Sequence, residues 1–219
     1  MNDFELIIGN KAYSSWSFRA WLALKHTGVP FTEIRLAMDT PEFKPTVRKY
    51  SPTGKVPLLK HGSLAIWDSL AICEYLAEKF PTAKLWPEDA TARALARSAS
   101  AEMHSGFMTI RKQLPFNCRA SGRQVAMSPE LEAEIARVLE IWRGCRERYG
   151  QGGAWLFGRF SIADAMYIPV ALRFVTYGIK LDHTAQAYVI ATQAHPAVQD
   201  WIAAAKQEEE VIETSEVGR

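Results

Sequence analysis

Ser14-Ser15-Trp16-Ser17-Phe18-Arg19-Ala20-Trp21 is the stretch on which the fold turns. It follows a short apolar run, Phe4 to Ile8, and opens an apolar-rich segment that stops at Gly28 and Pro30. It therefore marks the junction between a first strand, Phe4–Ile8, and a first helix, Trp16–Thr27. Gly28 suits the position just past a helix end, and Pro30 prevents continuation. Such junctions hold anions, because the N–H groups of a first helical turn lack partners and the aligned peptide dipoles place partial positive charge there. Three hydroxyls stand at that end.

Outward from this junction, Phe31–Arg35 reads as a strand and Pro41–Lys49 as a short helix. In Ser51-Pro52-Thr53-Gly54-Lys55-Val56-Pro57-Leu58-Leu59-Lys60, the run from Val56 begins a third strand whose proline must sit at a strand start or edge. His61-Gly62-Ser63 is a tight-turn signal, so Leu64–Trp67 pairs back as an antiparallel partner. Asp68-Ser69 caps a helix running to about Lys79, which Pro81 ends. The order is a βαβ unit followed by a ββα unit, an α/β thioredoxin-like N-terminal domain over residues 1–82.

After a linker at Pro81–Pro87 no further strand is expected, and residues 90–219 read as an all-α C-terminal domain. Ala90–Gln113 is expected as one long helix. Ser128-Pro129-Glu130 opens another that runs to Tyr149, with an N-cap hydroxyl and proline at the first helical position; Gly150, Gly152 and Gly153 close it. Ser161-Ile162-Ala163-Asp164 has capping-box spacing ahead of an apolar run to Tyr177, with Pro169 expected to kink that helix. Ala185–Ala194 and Pro196–Glu209 finish the pattern.

Composition narrows the function. At 219 residues, with 48% hydrophobic and 23% charged side chains, the chain can bury two modest cores and is not disordered. A net charge of +2 with scattered Lys and Arg gives no footprint for nucleic acid. No segment approaches the roughly 18 consecutive apolar residues of a membrane span. Met1-Asn2-Asp3 lacks the basic start of a signal peptide, so a cytoplasmic location is expected. Cys73, Cys118 and Cys145 are odd in number and far apart, and the five histidines have no ligand spacing; neither a disulfide framework nor a metal site is expected.

In thioredoxin-like redox proteins the first strand-to-helix junction carries Cys-x-x-Cys, where the helix N-terminus lowers a thiol pKa and a second thiol resolves the mixed disulfide. Here those four positions are Ser14-Ser15-Trp16-Ser17. A hydroxyl cannot exchange disulfides, which also sets aside disulfide or dehydroascorbate reduction, but it can donate a hydrogen bond to a thiolate supplied from outside. Together with Lys55-Val56-Pro57-Leu58, Asp68-Ser69-Leu70-Ala71-Ile72 and Ser161-Ile162-Ala163-Asp164, this stretch resembles the cytosolic glutathione S-transferases. The likeness runs over both domains and is nearest to bacterial, serine-type members with a zeta-like first-helix motif, the class that includes maleylacetoacetate isomerase.

The resemblance implies glutathione as co-substrate, no metal, and a role for each matching position. Pro57 would be cis, leaving the Val56 backbone to pair with the cysteinyl unit of glutathione as an added strand. Asp68 would hold the γ-glutamyl ammonium and Ser69 its carboxylate, while an N-cap role is compatible with both. Lys55 would reach the glycyl carboxylate, against the alternative of a solvated lysine. Ser14 is the first choice to face the sulfur, because it stands where the attacking cysteine of Cys-x-x-Cys would be, and Ser15 is the runner-up. Whichever serine does not serve the thiol would cap the helix or bond the peptide, and Ser17 would be structural. Serine is not ionised at neutral pH, so the hydroxyl acts as a donor that moves the bound thiol pKa from ~8.5 toward ~7.

That class has Cys where this chain has Trp16, and its isomerases carry a basic residue near the position of Tyr177, one turn beyond Arg173. The departure favours conjugation of glutathione to a small, apolar electrophile over isomerisation of the maleylacetoacetate type. Trp16, Met103, His104, Phe107 and Arg111 are candidate walls for the second substrate, although with Met108 their spacing equally fits a buried helix face. Arg111, Asn117 and Arg119 would meet substrate or a partner subunit. Asp164 would support the fold, its loss costing about 1 kcal/mol or more. The family implies a homodimer. A non-catalytic interaction protein of the same fold is the alternative of a different class, and the combination of Ser14, Pro57, Asp68 and Ser69 argues against it.

Overall fold

The computed structural model describes residues 3–219. Phe4–Ile8 (β1) lies at the centre of a four-stranded sheet, with Thr32–Arg35 (β2) parallel on one side and Leu58–His61 (β3) antiparallel on the other. Leu64–Trp67 (β4) closes the β3 hairpin at the sheet edge, Leu58 facing Trp67 and His61 facing Leu64. Gly62 makes the turn at φ 59°, a conformation that favours glycine. Period-two alternation sends Phe4, Leu6 and Ile8 into one core with Leu59. Ser15–Thr27 (α1) and Ser69–Lys79 (α3) contribute Phe18, Leu22, Ile72 and Leu76 to that same core. Phe43–Val47 (α2) is a short helix after β2.

Every later strand-like feature is an isolated bridge between Trp155 and Gly158 or Phe157 and Arg159. The rest is helical: Ala90–Ser105 (α4), Met108–Gln113 (α5), Pro129–Tyr149 (α6), Ile162–Thr176 (α7), His183–Ala194 (α8) and Pro196–Ala205 (α9). Helix α7 is buried nearly all round and runs on through Pro169, as expected of the central helix of a domain. No helix among the described residues is long and apolar enough to cross a membrane.

The single helix expected over Ala90–Gln113 is two. Gly106 is extended (φ −109°, ψ −163°) and Phe107 left-handed (φ 58°, ψ 45°), and a Cβ on Gly106 would lie 2.9 Å from the Glu102 carbonyl oxygen. Both new helix ends are satisfied from elsewhere. The Glu134 carboxylate of α6 accepts from Thr109 N (3.1 Å) and Ile110 N (2.8 Å). The Arg111 guanidinium donates to the Gly106 carbonyl (3.0 Å) and to that of Met103, a cation on helix-terminal carbonyls.

The domains meet along α1. Phe18 stacks on Trp201 of α9 at 4.6 Å, and Trp21 meets it edge-on at 5.1 Å. The chain after α9 then returns to the loop between β1 and α1. The Glu208 carboxylate accepts from Lys11 N (2.7 Å) and Ala12 N (2.9 Å), and Glu216 accepts from the Tyr13 hydroxyl (2.7 Å) and Asn117 Nδ2 (2.8 Å). Arg119 donates to Tyr13 Oη (2.6 Å) and to the carbonyls of Glu208 and Glu210. Asn117 and Arg119 thus fasten this C-terminal segment to the loop that delivers Ser14.

Candidate active site

The β1–α1 loop is wound tightly before the helix starts. Asn10 O accepts from Tyr13 N (3.2 Å) and Ser14 N (2.8 Å), and Asn10 Oδ1 accepts from Met38 N (2.7 Å). Ser14 is the N-cap of α1. Its Oγ accepts from Ser17 N (3.3 Å) and donates to Ser17 Oγ (2.7 Å), and Ser17 Oγ also accepts from Gly9 N (3.1 Å). Ser17 is fully buried and ties strand end to helix start. Ser15 opens the helix itself. Its Oγ accepts from Arg173 Nη2 of α7 at 3.3 Å, and among the described residues nothing accepts its own proton.

The hairpin and α3 supply the facing wall. The Val56–Pro57 peptide is cis, and Val56 makes no backbone hydrogen bond among the described residues, so its N–H and C=O edge is open. Asp68 takes φ 73°, a sparsely populated conformation for a side-chain-bearing residue and one that clusters at functional sites. Its Oδ1 caps α3 through Leu70 N (2.9 Å) and Ala71 N (3.4 Å), and its Oδ2 pairs with His104 Nε2 of α4 at 3.0 Å. Ser69 Oγ is buried with no partner among the described residues, at a helix N-terminus where a hydroxyl and unpaired N–H groups together suit a carboxylate.

These residues enclose one cleft of ≈ 390 Å³ between the domains. It is lined by Trp16, Thr53, Lys55, Val56, Pro57, Trp67, Asp68, Ser69 and His104. Five of the seven residues expected to bind the tripeptide therefore share it. Ser14 and Ser15 are buried and are not among its lining residues; they precede Trp16 in the chain. Of the expected second-substrate walls, Trp16 and His104 line the cleft and touch edge to face at 5.2 Å, whereas Met103 and Phe107 are buried in the core. Thr53 and Trp67 were not singled out from sequence. Thr53 shares a hydrogen bond with Ser51 in the turn before Lys55 (2.9 Å), and half-exposed Trp67 ends β4 one residue before Asp68. The signal available was adjacency to residues already chosen.

The floor beneath Trp16 is cationic. Arg19 and Arg111 place their guanidinium carbons 4.4 and 4.5 Å from the Trp16 ring centroid. Arg19 is fully buried and none of its three nitrogens has a hydrogen-bond partner among the described residues; burial first, and then the charges of Arg111 and Arg173, hold its pKa well below the usual guanidinium range. Burial and then Arg111 bring Arg173 down to about 9, so it remains a cation at neutral pH. Cys73, also fully buried, has its thiol pushed up to about 12 by burial, which makes it inert packing.

Comparison with known proteins agrees with this architecture. Residues 13–79 match the family described as Glutathione S-transferase, N-terminal domain, and residues 128–204 match Glutathione S-transferase, C-terminal domain. A zeta-class glutathione S-transferase of Euphorbia esula is 30% identical over 157 residues, covering 71% of this chain and 67% of that protein. The chain belongs to the glutathione S-transferase family. Glutathione S-transferase 1 of Dianthus caryophyllus is 37% identical over 106 residues, but the match spans 47% of this chain and 46% of that relative. A Burkholderia glutathione transferase homologue, solved with bound glutathione, superposes with a TM-score of 0.71 at 24% identity, covering 94% of this chain and 99% of that one. At that identity the likeness speaks for the fold, a thioredoxin-like domain followed by an all-helical one.

Proposed function

We propose that this family member is a glutathione transferase that binds the tripeptide in the interdomain cleft and activates its thiol with a serine hydroxyl at the start of α1. The observation that carries the reading is the buried, unpartnered hydroxyl of Ser69 in the same cleft as the open Val56 edge and the Asp68 carboxylate. An orphaned buried donor costs roughly 1–3 kcal/mol, and a γ-glutamyl carboxylate would satisfy it. Val56 would pair with the cysteinyl backbone, Asp68 with the ammonium, and exposed Lys55 with the glycyl carboxylate. Binding at Asp68 displaces or shares the His104 contact.

Of the two serines, the hydrogen bonding favours Ser15. The Ser14 hydroxyl both accepts from and donates to Ser17, whereas Ser15 has a proton to give. Ser14 then serves as the cap, and Ser15 as donor to the sulfur. The thiol S–H bond breaks with its electron pair left on sulfur, the proton passes to solvent, and the thiolate forms a carbon–sulfur bond to a small electrophile held against Trp16, Trp67 and His104; with an aryl halide the carbon–halogen bond breaks and halide leaves with its electron pair. No protein group needs to act as a base. The family supports a homodimer.

Calorimetric titration with glutathione, followed by conjugation assays with an aryl halide, tests the proposal. Binding is expected to weaken about tenfold in Ser69→Ala, the loss of one hydrogen bond to a charged group. Folded protein that takes up no glutathione refutes the reading.

A further inference from the structure

The proposed reaction accounts for Ser15 and the cleft but not for the buried guanidinium groups of Arg19 and Arg173, with half-buried Arg111 beside them. Arg19 of α1, Arg111 of α5 and Arg173 of α7 repel one another at the first turn of α1, where the helix dipole is already positive. None of the three forms an ion pair among the described residues. The charged groups facing them from each packed element are otherwise engaged or inert. Asp68, before α3, is paired with His104 of α4. Glu134 of α6, whose charge reaches Arg111, is bonded to the main chain of α5. Buried Cys73 of α3 is protonated, and the Tyr167 hydroxyl of α7 donates to Ala99 O (3.1 Å). Tyr177 after α7 donates to Pro115 O (3.1 Å). Buried charge without a counter-charge is costly, and a purely structural arginine at these places would be matched by a carboxylate.

We propose that Arg173 is the positioning residue of thiol activation, its guanidinium holding the Ser15 oxygen so that the serine proton points at the sulfur and, with Arg19 and Arg111, supplying the positive field in which the thiolate is stable. Thiolate is the one anion that the proposed reaction creates at this helix end, so the inference rests on that reading. The bond geometry supports it. Arg173 Nε is fixed by Leu114 O at 2.7 Å, which aims the planar fork and leaves Nη2 on Ser15 Oγ and Nη1 without any partner. Anchoring the 114–117 segment does not require the bond to Ser15, because Tyr177 and Thr176 hold Pro115 and Asn117 by their own hydroxyls. A donor on the serine oxygen occupies a lone pair and leaves only the proton facing outward. Guanidinium gives up its charge on burial less readily than an ammonium does, and its fork fixes direction as an ammonium cannot.

The test is the pKa of bound glutathione, followed by thiolate ultraviolet absorbance, in wild type, Arg173→Met, Arg173→Lys, Ser15→Ala and the double variant Ser15→Ala/Arg173→Lys. Affinity for S-methylglutathione, which has no thiol proton, is measured in parallel. Arg173→Met is expected to raise the bound thiol pKa by about one unit, a tenfold loss of thiolate equilibrium, with S-methylglutathione affinity within about twofold of wild type. Arg173→Lys, which keeps charge but not the fork, is expected to fall between, and to add less in the Ser15→Ala background than alone. If Arg173→Met does not fold, the lysine variants carry the same comparison. An unchanged thiol pKa in the arginine variants overturns the inference, as does S-methylglutathione affinity that falls in step with glutathione affinity. In either case wild type that still binds glutathione leaves the transferase reading standing; wild type that binds neither ligand removes both.

Discussion

Replacing Asp164 with alanine removes the only carboxylate buried at the start of α7, and the structure sets the scale of the loss. Asp164 is fully buried. Its Oδ1 accepts from Leu156 N at 3.0 Å, and its Oδ2 accepts from Ser161 N at 2.8 Å and Ser161 Oγ at 3.0 Å. Alanine leaves two buried main-chain N–H groups without acceptors, at about 1–3 kcal/mol each. The hydroxyl can rotate to another partner, so a loss of about 3 kcal/mol is expected, well above the ~1 kcal/mol of an ordinary cap. Burial also raises the Asp164 pKa to about 6 from the ordinary 3.8, its hydrogen bonds offsetting only part of that rise. The folded state therefore holds this proton more tightly than the unfolded state. The group's contribution is fully present below about pH 4 and declines as pH rises through 6, by roughly 3 kcal/mol at most. Urea denaturation followed by tryptophan fluorescence, on wild type, Asp164→Ala and Asp164→Asn from pH 4 to 7, reads both effects. The advantage of wild type over the never-ionised asparagine should shrink with rising pH. An alanine variant within 1 kcal/mol of wild type, or an advantage over asparagine that grows with pH, would falsify the argument.

Ser15→Ala should raise the pKa of bound glutathione more than Ser14→Ala does, while Ser14→Ala should cost about 1 kcal/mol of stability as a lost N-cap; thiolate titration and thermal melting separate the two. His104→Ala frees Asp68 from its contact with the imidazole and is expected to tighten glutathione binding by about two- to fivefold, the worth of a partly exposed polar pair, as read by calorimetry. Weaker binding would instead make His104 a ligand contact. Glu208→Ala leaves Lys11 N and Ala12 N unpaired, with an expected cost of about 2 kcal/mol and faster proteolysis of the chain beyond Lys206; unchanged proteolysis would show that the segment is held without it.

Much of the first domain was legible because its signals are local. A short apolar run set β1 at Phe4–Ile8, the turn signal at His61-Gly62-Ser63 set β4 at Leu64–Trp67, and Gly28, in the left-handed conformation at φ 73°, ended α1 where expected. The capping box at Ser161 and Asp164 was equally plain, though the added bond to Leu156 N was not. The break at Gly106 and Phe107 escaped notice because apolar spacing continues across it. What makes the break tolerable is the Glu134 carboxylate, 24 residues beyond Ile110. The motif placed Ser14 ahead of Ser15, and the reversed order proposed above has no counterpart in it. That proposal rests on Ser17 engaging one hydroxyl and on Arg173, 158 residues away in sequence, engaging the other.

By itself the sequence determined which segments are strands and helices, where most of them stop, and that hydroxyls rather than thiols stand at the first helix. Those properties follow from side-chain period, capping chemistry and residue type within a few positions. Only the tertiary structure decided that Arg111 joins Arg19 against the Trp16 ring, that Asp68 meets His104, and that the Ser15 oxygen meets Arg173. Each of these is a balance of charge and desolvation between groups far apart in the chain. Their proximity is set by how α1, α4, α5 and α7 pack, and no spacing in the sequence encodes it.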